Sequence, residues 1–66
     1  MKTNLQRIRE EHRYSQRQLS ILADVNLRTI QAYEQRKKNI NHAQAGTLLR
    51  ISKKLKCSIE ELLEQV

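Results

Sequence analysis

The chain of 66 residues contains no proline, tryptophan or phenylalanine, and only one glycine, one cysteine and two tyrosines. The absence of proline and the scarcity of glycine leave helices uninterrupted and argue against a sheet with many tight turns. The single cysteine, Cys57, excludes an internal disulfide and is typical of a reducing compartment, so we expect a cytoplasmic protein. Because 38% of the residues are hydrophobic, we predict one compact all-α domain over residues 1–66.

The composition also disfavours several functional classes. No stretch is apolar enough to cross a membrane, and no segment combines an apolar face with aromatic anchors for a membrane surface. His12, His42 and Cys57 lack the spacing of zinc ligands, so we expect no metal. The chain has neither a glycine-rich phosphate loop nor a nucleophile with its base, and it is too short for a deep pocket. We therefore expect no enzyme activity, no cofactor and no small-molecule ligand.

Positive charge, by contrast, is in excess: 13 Lys and Arg oppose 7 Asp and Glu, which gives a net charge of +6. All the basic residues lie between Lys2 and Lys56, whereas residues 57–66 carry three glutamates and no base. Such a basic surface attracts polyanions, and nucleic acid is the favoured partner because a membrane-binding segment is absent. The binding face is expected upstream of the last helix.

Apolar residues at helical spacing predict a five-helix bundle, with helices at about residues 4–13, 16–23, 27–35, 42–55 and 59–65. Three starts carry a cap residue and, three positions later, a side chain able to bond the amide of the cap. These pairs are Ser15 with Gln18, Asn41 with Gln44, and Ser58 with Glu61. The predicted core consists of Leu5, Ile8, Tyr14, Leu19, Leu22, Ala23, Val25, Ile30, Tyr33, Ala45, Leu48, Ile51, Leu55, Ile59, Leu62 and Leu63.

Three short motifs occur in a particular order: S-Q-x-x-L from Ser15, T-I-x-x-Y-E from Thr29 to Glu34, and S-I-E-E-L-L from Ser58. Together they resemble the Cro and cI-type helix-turn-helix family, also called the XRE family, over nearly the whole chain. The resemblance implies a lambda-repressor-like domain with its helix-turn-helix at helices two and three. It also implies a regulator whose third helix, residues 27–35, enters the major groove of double-stranded DNA, commonly as a homodimer on a palindromic operator.

The first turns of such a recognition helix face the bases, and the side chains offered there are Asn26, Leu27, Arg28, Gln31 and Ala32. Arg28 is the strongest candidate because a guanidinium can donate two hydrogen bonds to guanine; a phosphate contact is its alternative. Leu27 and Ala32 suit contact with a thymine methyl group, and Gln31 suits adenine or solvent.

Other residues of the same region are expected to contact phosphates and so to set the position of the protein on DNA. Gln16 matches the family glutamine that bonds a phosphate. The expected phosphate contacts are Gln16, Arg17, Thr29, Lys37, Lys38 and Asn39. The family pattern further implies a structural ion pair between Arg9 and Glu34. The bases of helix four and its end, Arg50, Lys53, Lys54 and Lys56, are expected to be solubilising charge.

The chain departs from the family pattern where glycine is usual. The turn holds Asp24, residues 35–38 follow helix three, and Lys56 precedes helix five. Such sites often need a positive φ, which Asp tolerates better than Lys.

The favoured function is a sequence-specific regulator of a bacterium, phage or mobile element. The alternative is a protein-interaction module on the same fold, an antitoxin-like partner or adaptor that docks through helix five or Leu27. Leu49, Leu63 and Val66 are candidates for a homodimer interface, or they complete the core of the monomer.

Overall fold

The computed structural model describes residues 1–65, where all regular structure is helical. The α-helices are α1 (Asn4–Glu11), α2 (Gln16–Ala23), α3 (Leu27–Glu34), α4 (Ala45–Leu55) and α5 (Ile59–Leu62). A 3₁₀ helix, Ile40–His42, lies between α3 and α4. With extents of 27 × 24 × 20 Å, the chain forms the expected all-α five-helix bundle.

Two of the three predicted capping pairs are confirmed. The Ser15 hydroxyl accepts a hydrogen bond from the Gln18 amide at 3.0 Å, and the Ser15 amide donates to Gln18 Oε1 at 2.8 Å. Ser58 and Glu61 make the same reciprocal bonds at 3.2 and 3.1 Å. Each pair satisfies two amides that a helix start would otherwise leave without an acceptor, and so fixes the first residue of α2 and of α5.

The third pair is wrong, because Asn41 does not begin α4. That helix starts at Ala45 after the cap residue Gln44, three residues later than predicted. Asn41 belongs to the 3₁₀ helix, and its side chain bonds the backbone of Glu64. A tertiary contact therefore occupies the amide group that the sequence pattern assigned to a local cap.

The other helix ends differ from prediction for backbone reasons. α1 stops at Glu11 rather than residue 13, since Arg13 lies in the left-handed region with φ 60°. α3 stops one residue early at Glu34. α5 stops at Leu62 rather than residue 65, because Leu63 is extended with φ −73° and ψ 150°.

Positive φ values occur at the three places where the family usually has glycine. Asp24 has φ 54°, Arg36 has φ 60° and Lys56 has φ 52°. Arg13 is a fourth such residue, at a position that the family pattern does not mark. For L-residues with a Cβ atom this conformation costs about 1–2 kcal/mol each, so the surrounding contacts must hold these corners in place.

The core is largely the predicted one, with three corrections. Leu22 is 42% exposed, because Leu19 and Ala23 form the buried stripe of α2 and Leu22 lies at its edge. Ala45 is exposed because it is the first residue of α4 rather than a residue one turn inside. Ile40, which was not predicted, is buried at 3% exposure. Partly buried residues that pack against this core include Tyr14, Ile59 and Leu63.

Helix α2 packs against both α3 and α4, while α1 contacts α3 and α5. Arg50 of α4 adds a polar link, since its Nε donates to the carbonyl oxygen of Ala23 at 3.2 Å. Arg50 is therefore not only solubilising charge: it satisfies a carbonyl that the end of α2 leaves without an intrahelical donor. The scaffold thus fixes α2, and α2 in turn supports α3.

Candidate nucleic-acid interface

The inner side of α3 is held by an ion pair to α1. Arg9 Nε donates to Glu34 Oε2 at 2.7 Å, and Arg9 Nη2 donates to Glu34 Oε1 at 3.0 Å. Both side chains are almost fully buried, at 9% and 3% exposure. Arg9 Nη1 also donates to the Tyr14 carbonyl oxygen at 2.7 Å. Because this pairing is bidentate, it fixes the orientation of α3 as well as its distance from α1.

Gln16 joins this network from the start of α2. Its Nε2 donates to Glu34 Oε1 at 2.8 Å, while its Oε1 lies 3.5 Å from Gln31 Nε2. Gln16 therefore lies between the buried ion pair and the outer side of α3. The first amides of α2 point outward at the same place, because a helix start has no intrahelical acceptors for them.

The outer side of α3 carries the predicted base-reading residues. Ile30, Tyr33 and Glu34 are buried, so helical spacing turns Arg28 and Gln31 away from the core. Arg28 is exposed, whereas the remaining members of this side, Leu27, Gln31 and Ala32, are partly buried. The outer side thus presents one long cation beside shorter polar and apolar groups.

Asn26 is exposed at the start of α3, but part of its side chain already has a role. Its Oδ1 accepts a hydrogen bond from the Arg28 amide at 2.8 Å and caps the helix. The oxygen keeps a second lone pair and Nδ2 keeps both of its hydrogens, so the cap leaves Asn26 able to donate and to accept. What the cap restricts is the orientation of the amide, which any contact with a base has to match.

Of the predicted phosphate contacts, Arg17, Lys37, Lys38 and Asn39 are exposed, whereas Gln16 and Thr29 are partly buried. The amides of Lys37 and Lys38 both donate to the Ala32 carbonyl oxygen, at 2.9 and 3.2 Å. Asn39 Oδ1 accepts from the Asn41 amide at 2.9 Å. The segment after α3 is thereby an ordered turn that presents two lysines and one amide donor.

The cations of the motif have no ion-pair partner within residues 1–65. The ion pairs among residues 1–65 join Lys2 to Glu10, Arg7 to Glu11, Arg9 to Glu10 and Glu34, and Arg36 to Glu64. In that part of the chain no carboxylate lies within ion-pair distance of Arg17, Arg28, Lys37 or Lys38. Their charge is therefore available to a polyanion in solution.

The described residues give less support to metal binding, thiolate chemistry or a membrane-spanning helix. Among the described residues, no group of three or more His, Cys, Asp and Glu side chains could hold a metal ion. Burial raises the pKa of the Cys57 thiol, which disfavours the thiolate that metals bind. Within residues 1–65 no helix is both long and apolar enough to cross a membrane.

Sequence reasoning missed three residues that shape this region. Arg36 and Asn41, at the two ends of the segment after α3, both contact Glu64 near the end of the chain. The pattern around Asn41 indicated a cap, and nothing in the spacing of Glu64 connects it to a residue 23 positions earlier.

A family model described as the Cro/C1-type HTH DNA-binding domain matches residues 4–66. No curated protein matches the chain. The family match spans all three motifs that gave the resemblance, and the helix order and the turn between α2 and α3 agree with it. Families of this kind bind double-stranded DNA and are typically not enzymes. The chain belongs to the Cro/C1-type helix-turn-helix family of DNA-binding domains.

Proposed function

We propose that this chain, as one domain over residues 1–66, is a sequence-specific transcription regulator that places α3 in the major groove of double-stranded DNA. The observation that carries the proposal is the two-sided character of α3. Its inner side is fixed by the buried pair Arg9–Glu34, while its outer side presents Arg28, for which residues 1–65 provide no ion-pair partner. A rigid helix with an available guanidinium is what direct readout of a base requires.

The proposed base contacts divide by chemistry. Arg28 donates two hydrogen bonds to guanine O6 and N7, and Asn26 donates its amide hydrogens to a neighbouring acceptor. Leu27 and Ala32 contact a thymine methyl group. Gln31 needs both ends of its amide to pair with adenine, and its Nε2 lies 3.5 Å from Gln16 Oε1 in the free chain. Gln31 therefore turns away from Gln16 when it reads a base.

The proposed phosphate contacts flank α3. At the start of α2 the Ser15 hydroxyl takes the Gln18 amide, and this leaves the amides of Gln16 and Arg17 to bind a phosphate oxygen. Arg17 and Thr29 add side-chain donors. On the other flank, Lys37, Lys38 and Asn39 contact the backbone. These contacts set position and affinity but read no sequence.

We propose further that two copies bind a palindromic operator, because one such domain covers few base pairs and half-sites lie about 34–36 Å apart. Leu49 is the best candidate for the contact between copies, since it is 45% exposed on α4. Leu63 already packs partly against the core, and Val66 lies outside the described residues. Sedimentation at micromolar concentration, with Leu49→Glu compared with Lys53→Glu, tests this interface.

A protein-interaction module remains the second candidate, and the exposed side chains of α2 favour it. Ile21 is 70% exposed and Leu22 is 42% exposed, which is unusual for neighbouring aliphatic residues on one helix. Helix α5 is a weaker docking element than the sequence indicated, because Leu62 is fully buried and Ile59 packs against the core.

Selection of bound sequences from random duplex DNA tests the proposal, followed by a salt titration on the selected duplex. Phosphate-driven binding weakens as salt rises, with a logarithmic slope of about 0.9 per neutralised phosphate. Arg28→Ala is expected to lose discrimination at one guanine position, roughly 1–3 kcal/mol. Its matched control is Lys54→Ala, which removes one exposed cation from α4. The proposal is wrong if binding is absent at low salt or independent of salt; a uniform loss across sequences would assign Arg28 to a phosphate instead.

A further inference from the structure

Glu64 lies at the centre of a hydrogen-bond network outside the helix-turn-helix. Its amide donates to Asn41 Oδ1 at 2.9 Å, and its carbonyl oxygen accepts from Asn41 Nδ2 at 2.7 Å. Its carboxylate accepts from the Asn4 amide at 2.7 Å and from Arg36 Nη2 at 3.5 Å. Asn4 Nδ2 also donates to the Leu63 carbonyl oxygen at 2.8 Å. Glu64, the second residue after the short helix α5, is thus tied to the start of α1 and to the segment that follows α3.

The two contacts with that segment lie at its ends. Arg36 begins it in a left-handed conformation, with its Nη1 bonded to the Met1 carbonyl oxygen at 2.8 Å. Asn41 closes it, and Ile40 beside Asn41 is buried. Between these anchors lie the exposed residues 37–39, which are the proposed phosphate contacts. The conformation of this phosphate loop, residues 36–41, therefore depends on Glu64, which lies 23 residues after Asn41 in the sequence.

We propose that Glu64 is a positioning residue for DNA binding: with Asn4, Arg36 and Asn41 it forms a clasp that holds the phosphate loop in register with α3. The inference rests on the proposed function, since it assumes that residues 37–39 contact phosphates. The clasp touches no DNA itself. It makes the affinity for DNA depend on the segment after α5, a dependence that the family assignment does not contain.

The contacts of the clasp lie where they can set the position of the phosphate loop without carrying the stability of the whole bundle. The clasp side chains lie outside the apolar core, and the Glu64 side chain is 27% exposed. Ile40 and the two amides bonded to Ala32 still anchor the loop when the clasp is opened. Opening the clasp therefore loosens the ends of the loop while the bundle stays folded, and the expected loss is in phosphate contacts.

Two pairs of variants test the clasp. Asn41→Ala removes both bonds to the Glu64 backbone without changing charge, and Gln65→Ala is its control. Glu64→Gln weakens the bonds to Arg36 and Asn4, and Glu60→Gln, an exposed residue of α5, removes the same charge elsewhere. Affinity for the selected duplex is measured against salt concentration, with circular dichroism to verify folding at the assay temperature.

Each lost phosphate contact should lower the affinity about fivefold at 0.15 M salt and reduce the logarithmic slope by about 0.9. We expect such a loss for Asn41→Ala relative to Gln65→Ala, and for Glu64→Gln relative to Glu60→Gln. The clasp is overturned if each variant binds the duplex with the same affinity as its control. It is also overturned if the affinity falls while the slope of its logarithm against the logarithm of salt concentration stays unchanged. If Asn41→Ala does not fold, the glutamate pair decides alone. Wild-type binding with no difference between variants and controls refutes only the clasp, whereas wild-type protein that binds no DNA refutes the proposed function as well.

Discussion

The buried pair Arg9–Glu34 gives the sharpest test of how the recognition helix is held. Glu34→Met removes both carboxylate bonds from the guanidinium, at 2.7 and 3.0 Å, and leaves Arg9 9% exposed. The bond to the Tyr14 carbonyl oxygen and the Glu10 carboxylate at 3.7 Å remain, but neither replaces a bidentate partner. Arg9→Met is the reciprocal change, and it leaves Glu34 with a hydrogen bond from Gln16.

The two single variants should differ in size. A buried ion left without its partner costs about 3–5 kcal/mol, and Glu34→Met should approach this because arginine cannot lose its proton. Arg9→Met should cost less, since Glu34 keeps the hydrogen bond from Gln16 Nε2 at 2.8 Å. The double variant with methionine at both positions should recover most of the loss, because paired apolar side chains need no partner.

Urea unfolding of the wild type, the two single variants and the double variant, followed by circular dichroism, measures the coupling between Arg9 and Glu34. A chain of this size has about 3–10 kcal/mol of total stability, so sucrose is added equally to all samples to keep Glu34→Met folded. We expect the double variant to be more stable than the sum of the single losses predicts, by at least about 2 kcal/mol. Losses that add within about 0.5 kcal/mol would show that the pair does not act as a unit and would refute this reasoning.

Two further predictions concern the fold. Leu19 is 0% exposed, so Leu19→Ala should lower the free energy of unfolding in urea by about 2–5 kcal/mol. Leu22, one turn along the helix, is 42% exposed, so Leu22→Ala should lower it by under about 1 kcal/mol. Equal losses of stability for the two variants would contradict the corrected core. Lys56→Gly should stabilise by about 0.5–1 kcal/mol because it removes the Cβ atom from a residue with φ 52°, while Lys54→Gly within α4 should cost about 1 kcal/mol. A loss at both lysines would show that Lys56 is unstrained.

The features that sequence reasoning predicted well depend on local chemistry. The sequence predicts α2 at its observed bounds, residues 16–23, because Ser15 and Gln18 lie within one turn and bond each other. Core residues such as Leu19 and Ile30 follow from helical spacing alone. The motifs then indicate, through the family resemblance, how the helices are arranged in space, which helical spacing cannot provide.

The errors arise where a distant contact competes with a local one. Asn41 could cap a helix at residue 42, but its amide bonds both the N–H and the C=O of Glu64. A cap supplies one bond to a helix amide, so the tertiary pairing satisfies more groups. The side chain of Asn26 shows the opposite case, since its oxygen makes a local cap that sets the orientation of the amide. Neither outcome follows from residue type, because both choices use the same amide group.

The left-handed corners of this chain are closed by local backbone bonds, and one of them is also held by distant contacts. Arg13, Asp24, Arg36 and Lys56 adopt positive φ, and together they cost of the order of 4–8 kcal/mol, which is comparable with the whole stability of the domain. The single glycine relieves none of this, since Gly46 lies within α4, where an added Cβ atom would meet only Arg50 at an ordinary 3.7 Å. The residue after each corner closes it with a local bond to the carbonyl oxygen five residues earlier, as the Lys37 amide does to Ala32 at 2.9 Å. At Arg36 the side-chain bonds to Met1 and Glu64 add to this local bond, so the corner that opens the phosphate loop is also fixed from residues near both ends of the chain.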